Sequence, residues 1–331
     1  GLHFANQWEI QSPTGMVAAP IDGASPLWNM QLKIIWQDYF SSGIFFNPIN
    51  KIQIMKGEIL LELRVKGLIV RETLLGETDK LLSVLTSEYG RIPVMAKGAR
   101  SIRSRYMIST QLMCYSELTL YKRGDRFWLR EALPVETFYA VRLELDLYAL
   151  VQYLFDVCCE VCPERHPDGA GDMLRLILNT LYAIMTGKKK QELIKAAFEL
   201  KTSILSGFAP DLSQCTDCGA AASDNADMTL DLVGGTLRCK QCSDRLAKAE
   251  MIFSKPSENK YTTAIRIVSP AVLSAMRYIE NASIKRFLSF NLSEEYLKEF
   301  SSTCEAYLCN QIERSFTTLE FWHELRSRYS S

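Results

Sequence analysis

Four cysteines are the residues of this 331-residue chain best spaced for chemistry: Cys215 and Cys218 form one C-x2-C pair and Cys239 and Cys242 a second, with twenty residues between them. A pair on a tight knuckle aims two sulfurs at one point, and two knuckles supply the four soft thiolates of a tetrahedral zinc site. The flanks suit this, with Gly219 in the first knuckle and Gly234-Gly235 turning the chain back between the pairs. The alternative is four packing cysteines with no metal. A closed four-thiolate site leaves no coordination position open, so one zinc held this way is structural and not catalytic.

Catalytic chemistry has little else to stand on. Of the three histidines, His3, His166 and His323, none lies beside a nucleophile in sequence, and no H-x-E accompanies a P-C-x-x-C as in the zinc deaminases. There is no G-x4-G-K-[ST] for an NTP and no G-x-G-x-x-G opening a helix. Acids are scattered, whereas a two-metal nuclease needs them grouped. No catalytic residue is assigned. Cys158, Cys159 and Cys162 end an apolar stretch and read as buried thiols, with Cys304 and Cys309 as packing residues.

A second cluster is electrostatic. Net charge is zero overall, but Met55 to Val135 carries 14 Lys or Arg against 9 Asp or Glu. Within it, Lys97, Arg100, Arg103 and Arg105 stand on nine residues with no acid among them. Each cation can neutralise one phosphate, Gly98 lets backbone approach closely, and Ser101 and Ser104 can add hydrogen bonds. The plainer reading is a solvated basic loop. Tyr89, Tyr106, Tyr115, Phe127 and Trp128 are available either to stack bases or to fill a core.

The elements that must position these groups follow from periodicity. Leu61, Leu63 and Val65 alternate with Glu62, Arg64 and Lys66, the pattern of a half-buried strand, with Gly67 expected at a bend or bulge before Leu68-Ile69-Val70. A turn at 87–90 joins two further strands, and Lys122-Arg123-Gly124-Asp125 turns a second hairpin. About five short strands in 55–135 predict a small OB-type barrel. From 136 the period becomes helical: 138–161, 173–185 and 191–205, then Ser269-Pro270 as an N-cap with Pro at the first helical position, and a helix opened by Ser293 with Leu297, Phe300, Cys304 and Leu308 on one face. The fold class is therefore α+β and multidomain: a five-stranded barrel, then an α-helical domain over 136–331 with the four-cysteine zinc module inserted at about 211–248. Residues 1–54 scatter Pro13, Pro20, Pro26 and Pro48 without a sustained period and read as a leader, disordered or not native to the folded body. No apolar run has membrane-spanning length, and ten cysteines without a secretory signal fit a reducing cytoplasm.

A resemblance adds to this. The segments Lys66-Gly67-Leu68-Ile69-Val70-Arg71, Gly76-Glu77-Thr78-Asp79-Lys80-Leu81-Leu82, Tyr89-Gly90-Arg91 and Ala96-Lys97-Gly98-Ala99-Arg100 follow one another. Later come Gly207-Phe208-Ala209-Pro210-Asp211-Leu212 and the cysteine pairs. In this order they resemble the bacterial RecO family of recombination mediators, from about Met55 to the C-terminus. The resemblance implies an OB domain, a helical domain and a zinc module. It implies a non-enzymatic DNA repair role in the cytoplasm, on the nucleoid: binding single- and double-stranded DNA, annealing complementary strands, and helping load a recombinase on coated strands. The implied partners are DNA, RecR and the acidic, apolar C-terminal tail of single-strand-binding protein, which would need an apolar pocket edged by Lys or Arg in the helical domain. The family's basic loop maps onto Lys97 and Arg100, and Arg103 and Arg105 extend it. The competing class is a zinc-ribbon protein–protein adaptor with incidental DNA binding.

Overall fold

The computed structural model describes residues 10–11, 17–18, 51–55, 58–222, 226–253 and 264–329. The chain divides into two compact units, Gly1–Leu63 and Arg64–Ser331. In the first, β1 (Ile10–Gln11) pairs antiparallel with β2 (Val17–Ala18), and β3 (Lys51–Met55) pairs antiparallel with the start of β4 (Glu58–Leu75). Those segments are regular where no period was expected; the rest of the leader reading lies outside the described residues.

In the second unit, β4 continues through β5 (Asp79–Thr86), β6 (Gly90–Ala96), β7 (Tyr115–Arg123) and β8 (Arg126–Glu136) in the order β4-β5-β6-β8-β7, and pairing of β7 with β4 closes a five-stranded barrel. This is the OB-type barrel the turn spacing predicts. Alternation builds its interior: Leu82 and Val84, Ile92 and Val94, and Leu118 and Leu120 are fully or almost fully buried. Val65 is buried between exposed Arg64 and Lys66, although Glu62 is buried too. Gly67 is not the bulge. Register runs unbroken through it and slips at Val70, since Ile69 faces Val84 while Arg71 faces Ser83. Gly67 instead marks a close strand approach, where a Cβ would lie 2.4 Å from Val84 Cγ1.

Seven α-helices follow among the described residues: α1 (Leu145–Val161), α2 (Ala170–Thr186), α3 (Gln191–Leu205), α4 (Lys240–Phe253), α5 (Pro270–Asn281), α6 (Glu294–Gln311) and α7 (Thr317–Tyr329). The expected 138–161 helix is broken: Tyr139–Leu143 is a 3-10 turn, and extended Glu144 precedes α1. Ser269 holds the expected cap position before Pro270, but its side chain makes no cap bond, and its N–H donates instead to Glu299 at 2.7 Å. The barrel is tied to the helices at β6. Arg91 Nε donates to Cys162 O at 2.9 Å, and Gly90, at φ 67°, has His166 O where a Cβ would fall, so only glycine fits.

Helix α3 is the axis of the helical body, buried all round from Leu193 to Ser203. Its charges are matched internally. Lys195 Nζ lies 2.8 Å from Glu199 and 2.7 Å from Glu305 on α6, and Tyr153 OH donates to Glu199 at 2.7 Å. Burial pushes Glu199 up to about 7 despite Lys195. Glu305 resists the same effect of burial, held down at about 2 by the His323 hydrogen bond and the Lys195 charge. Lys195→Met should therefore cost about 3–5 kcal/mol, because carboxylates lose their buried cation. The cost should grow with pH. A carboxyl raised in the folded state loses stability as pH climbs from its unfolded value through its folded one, and removing Lys195 raises Glu199 further. Urea midpoints at pH 5 and 8 test this, with Lys195→Met/Glu199→Leu expected to recover most of the loss at pH 8; a single variant as stable as wild type would contradict it.

Candidate metal centre and nucleic-acid interface

The cysteine pairs are brought together by a four-stranded sheet in the order β12-β10-β11-β9: β9 (Asp211–Cys215), β10 (Met228–Asp231), β11 (Thr236–Cys239) and β12 (Ile265–Val268). Parallel pairing of β9 with β11 sets Cys215, the last residue of β9, opposite Leu237, and Cys239, the last residue of β11, donates its N–H to Cys215 Sγ at 3.3 Å. The first pair is a knuckle: Gly219, at φ 68°, returns its N–H to Cys215 O at 2.9 Å. The second is not a free knuckle, because Cys242 lies in the first turn of α4. Gly234-Gly235 make the expected turn, with Asp231 Oδ1 accepting from Val233 and Gly234 N–H at 3.0 Å each.

All four sulfurs lie within 4.8 Å of one another, and Cys218 Sγ is 3.9 Å from Cys239 Sγ. Sulfurs placed tetrahedrally about 2.3 Å from a zinc are about 3.8 Å apart, so the arrangement suits one ion. The electrostatics ask for one. Against the upward push of burial, backbone N–H groups of Cys239, Cys218 and Asp217 draw the Cys215 thiol down to about 6. Burial and the crowding sulfurs of Cys239, Cys218 and Cys215 push Cys242 up to about 12, although Arg245 Nη2 stands 2.8 Å from its sulfur. Four thiolates can share this space only around a cation. Cys158, Cys159, Cys162 and Cys304 are buried, and burial raises each thiol, as expected of packing cysteines.

The basic segment forms a run of turns between β6 and β7. Lys97, Arg100, Arg103 and Arg105 are all exposed, but they are not four equal charges. Lys97 Nζ stands 4.8 Å from the centre of the Trp128 ring. Arg100 donates to Gly76 O in the β4–β5 turn, and Arg105 lies 4.7 Å over Tyr106 and donates to Arg130 O at 3.3 Å. Two of the arginines thus also fasten the loop to the barrel. Of the candidate aromatics, Phe127 is core, while Tyr89, Tyr106, Tyr115 and Trp128 are half-buried. The sequence reading missed Tyr121, which lies directly opposite Trp128, and the paired Arg123 and Arg126 of the same hairpin. Counting outward from Gly124-Asp125 would have found them.

A cleft of about 1090 Å³ opens in the helical body. Leu147, Ile184, Leu297 and Trp322 give it an apolar lining, while Lys188, Lys189, Lys190, Lys298 and Arg326 stand on it. Glu192, Glu294 and Glu305 also line it, but Arg326, Lys190 and Lys195 pair with them in turn. These residues come from α1, α2, α3, α6 and α7 and from the Lys188–Lys190 connection between α2 and α3, a convergence no local pattern announces.

Comparison with known proteins agrees along the chain. Residues 60–138 match the family model described as recombination protein O N terminal, and residues 142–320 match recombination protein O C terminal. The DNA repair protein RecO of Acetivibrio thermocellus is 29% identical over 259 residues, covering 78% of this chain and 95% of that protein. That of Symbiobacterium thermophilum is 28% identical over 264 residues, 80% of this chain and 97% of the relative. That of Dehalococcoides mccartyi (strain CBDB1) is 25% identical over 265 residues, 80% and 96%.

Proposed function

This chain belongs to the recombination protein O family, and from that premise we propose that it is a non-enzymatic mediator of DNA repair that anneals strands through a cationic face of its barrel. The observation that carries the reading is the exposed set Lys97, Arg100, Arg103 and Arg105 on one loop of a closed five-stranded barrel. Annealing brings two polyanions together, and a cationic surface lowers their repulsion without reading base sequence. Duplex formation is downhill once strands pair, so no nucleotide hydrolysis is required. The same contacts serve single- and double-stranded DNA, since both present phosphates.

The metal assigned to Cys215, Cys218, Cys239 and Cys242 is one structural zinc, on the grounds of four cysteine sulfurs within 4.8 Å of one another, which suit the tetrahedral four-thiolate site zinc prefers. Its role is to hold the sheet of the module in the helical body. The cleft beside α3 is proposed to take the acidic, apolar C-terminal tail of single-strand-binding protein: Leu147, Leu297 and Trp322 offer apolar contact and the lysines meet the carboxylates. RecR is the second protein partner, and the site of action is DNA in the bacterial cytoplasm, on the nucleoid. No described helix is long and apolar enough to cross a membrane.

Salt dependence separates this reading from an adaptor with incidental DNA binding. Four phosphate contacts on single strands give a slope of log affinity against log salt of about −2.8. Binding of a labelled oligonucleotide between 50 and 200 mM salt measures it. A slope near zero in the folded protein would place the affinity elsewhere and favour the adaptor.

A further inference from the structure

Tyr121 on β7 and Trp128 on β8 are directly opposed in the antiparallel register. Their rings are nearly parallel, 14° apart with centroids 6.4 Å apart, an offset stack of the kind aromatic pairs favour. Both are half-buried and lie on the outer surface of the barrel, since their neighbours Leu120 and Phe127 point inward and are buried. Strand order places β8 between β6 and β7, so Lys97, just past β6, and Tyr121 reach Trp128 from its two flanks. The hairpin then turns through Arg123 and Arg126, which are opposite one another two residues further on. Trp128 Nε1 is buried without a hydrogen-bond partner among the described residues.

A flat aromatic surface on a barrel wall, bracketed by cations at both ends, suits one ligand chemistry: unpaired nucleobases joined by phosphates. The geometry points to Trp128 and Tyr121 as a stacking platform for bases of single-stranded DNA, with Lys97 moving from the indole to a phosphate as a base takes its place. This rests on the reading of the barrel as a DNA-binding face and adds to it a preference that phosphate contacts cannot supply. In a duplex, base faces are already stacked and paired, so the platform serves only single strands, and it tolerates any sequence because every base has a π-face. A cross-strand aromatic pair also stabilises a sheet by itself; what sets this one apart is the lysine 4.8 Å over the indole beside a basic loop.

The test uses the full chain with two probes at one salt concentration, an oligo-dT strand and a duplex of equal length. Trp128→Ala should weaken binding of the single strand about tenfold and of the duplex less than twofold, the stacking contribution of one base. Trp128→Tyr, which keeps an aromatic face, should restore most of it, and unchanged melting temperatures of both variants exclude a destabilised barrel as the cause. A single strand carrying 5-iododeoxyuridine, irradiated on the wild type, should crosslink to Trp128 or Tyr121, a result that needs no variant. Equal losses on both probes without rescue, or adducts confined to other residues, would overturn the platform. A neutral Trp128→Ala with a steep salt slope would sink the platform alone and leave the phosphate reading standing; no DNA binding by the folded wild type would sink both.

Discussion

Cys215→Ser is expected to cost the chain the zinc proposed at its four cysteines and, with it, the cooperative fold of its helical half. A serine hydroxyl is a poor replacement for a soft thiolate, and three sulfurs without a fourth no longer close the site. Structural zinc contributes about 10–16 kcal/mol to folding in isolated zinc-finger peptides, as much as the net stability of most domains. Here the loss cannot stay local. Cys215 and Cys242 are buried in the same continuous core as Leu212, Met228, Leu230 and Leu237 of the sheet and Phe300, Cys304 and Tyr307 of α6. Arg277 of α5 donates to Leu212 O at 2.9 Å, and Gln311 of α6 to Leu232 O at 2.7 Å, so the helices grip the module directly. Metal analysis should find close to one zinc per wild-type chain and almost none in the variant. The variant's thermal transition should broaden and fall by well over 10 °C, and a chelator should do the same to the wild type. A metal-free variant melting with the wild type would contradict the assignment.

The second large effect is on DNA. Reversing four cations with Lys97→Glu, Arg100→Glu, Arg103→Glu and Arg105→Glu should lower single-strand affinity about a thousandfold at 0.1 M salt, since each lost phosphate contact is worth about 1 kcal/mol there through counterion release. The arginines are not interchangeable in the fold. Arg100 and Arg105 anchor the loop to Gly76 O and Arg130 O, so part of their effect can come from loosening it. Exposed Arg103 supplies the cleaner single variant: Arg103→Glu should lower affinity at least about fivefold, flatten the salt slope by about 0.7 and leave the melting temperature unchanged.

What the sequence revealed follows from which forces are local. The C-x2-C pairs, the hairpin turns and the alternation along β5 and β6 are set by neighbours in the chain, and the four-cysteine cluster and barrel strands stand where those patterns put them. Helix α3 is legible from 191 to 205 because its ends are marked, by the Lys188–Lys190 run before it and Gly207 after it. Other features depend on tertiary contact. Gly67 looks like a bulge in sequence but answers to Val84 on the next strand, and the bulge falls at Val70. The break at Glu144 and the short strands of the zinc module carry little periodicity. The cleft needs five helices to exist before it has a lining. Trp128 was visible as an aromatic, but its value depends on Tyr121 and Lys97, which register and strand order bring to it.

The central claim, that this chain mediates strand pairing through the basic face of its barrel, meets its most direct test in annealing. Complementary strands coated with single-strand-binding protein are mixed without ATP, and duplex formation is followed with the wild type and with the four-site charge-reversed variant, both shown to be folded and zinc-loaded. The account predicts rapid annealing by the wild type, almost none by the variant, and a marked slowing when the coating protein lacks its acidic tail. Annealing by the variant at the wild-type rate, or no annealing by the wild type, would contradict it, and a rate indifferent to the tail would remove the cleft from the account.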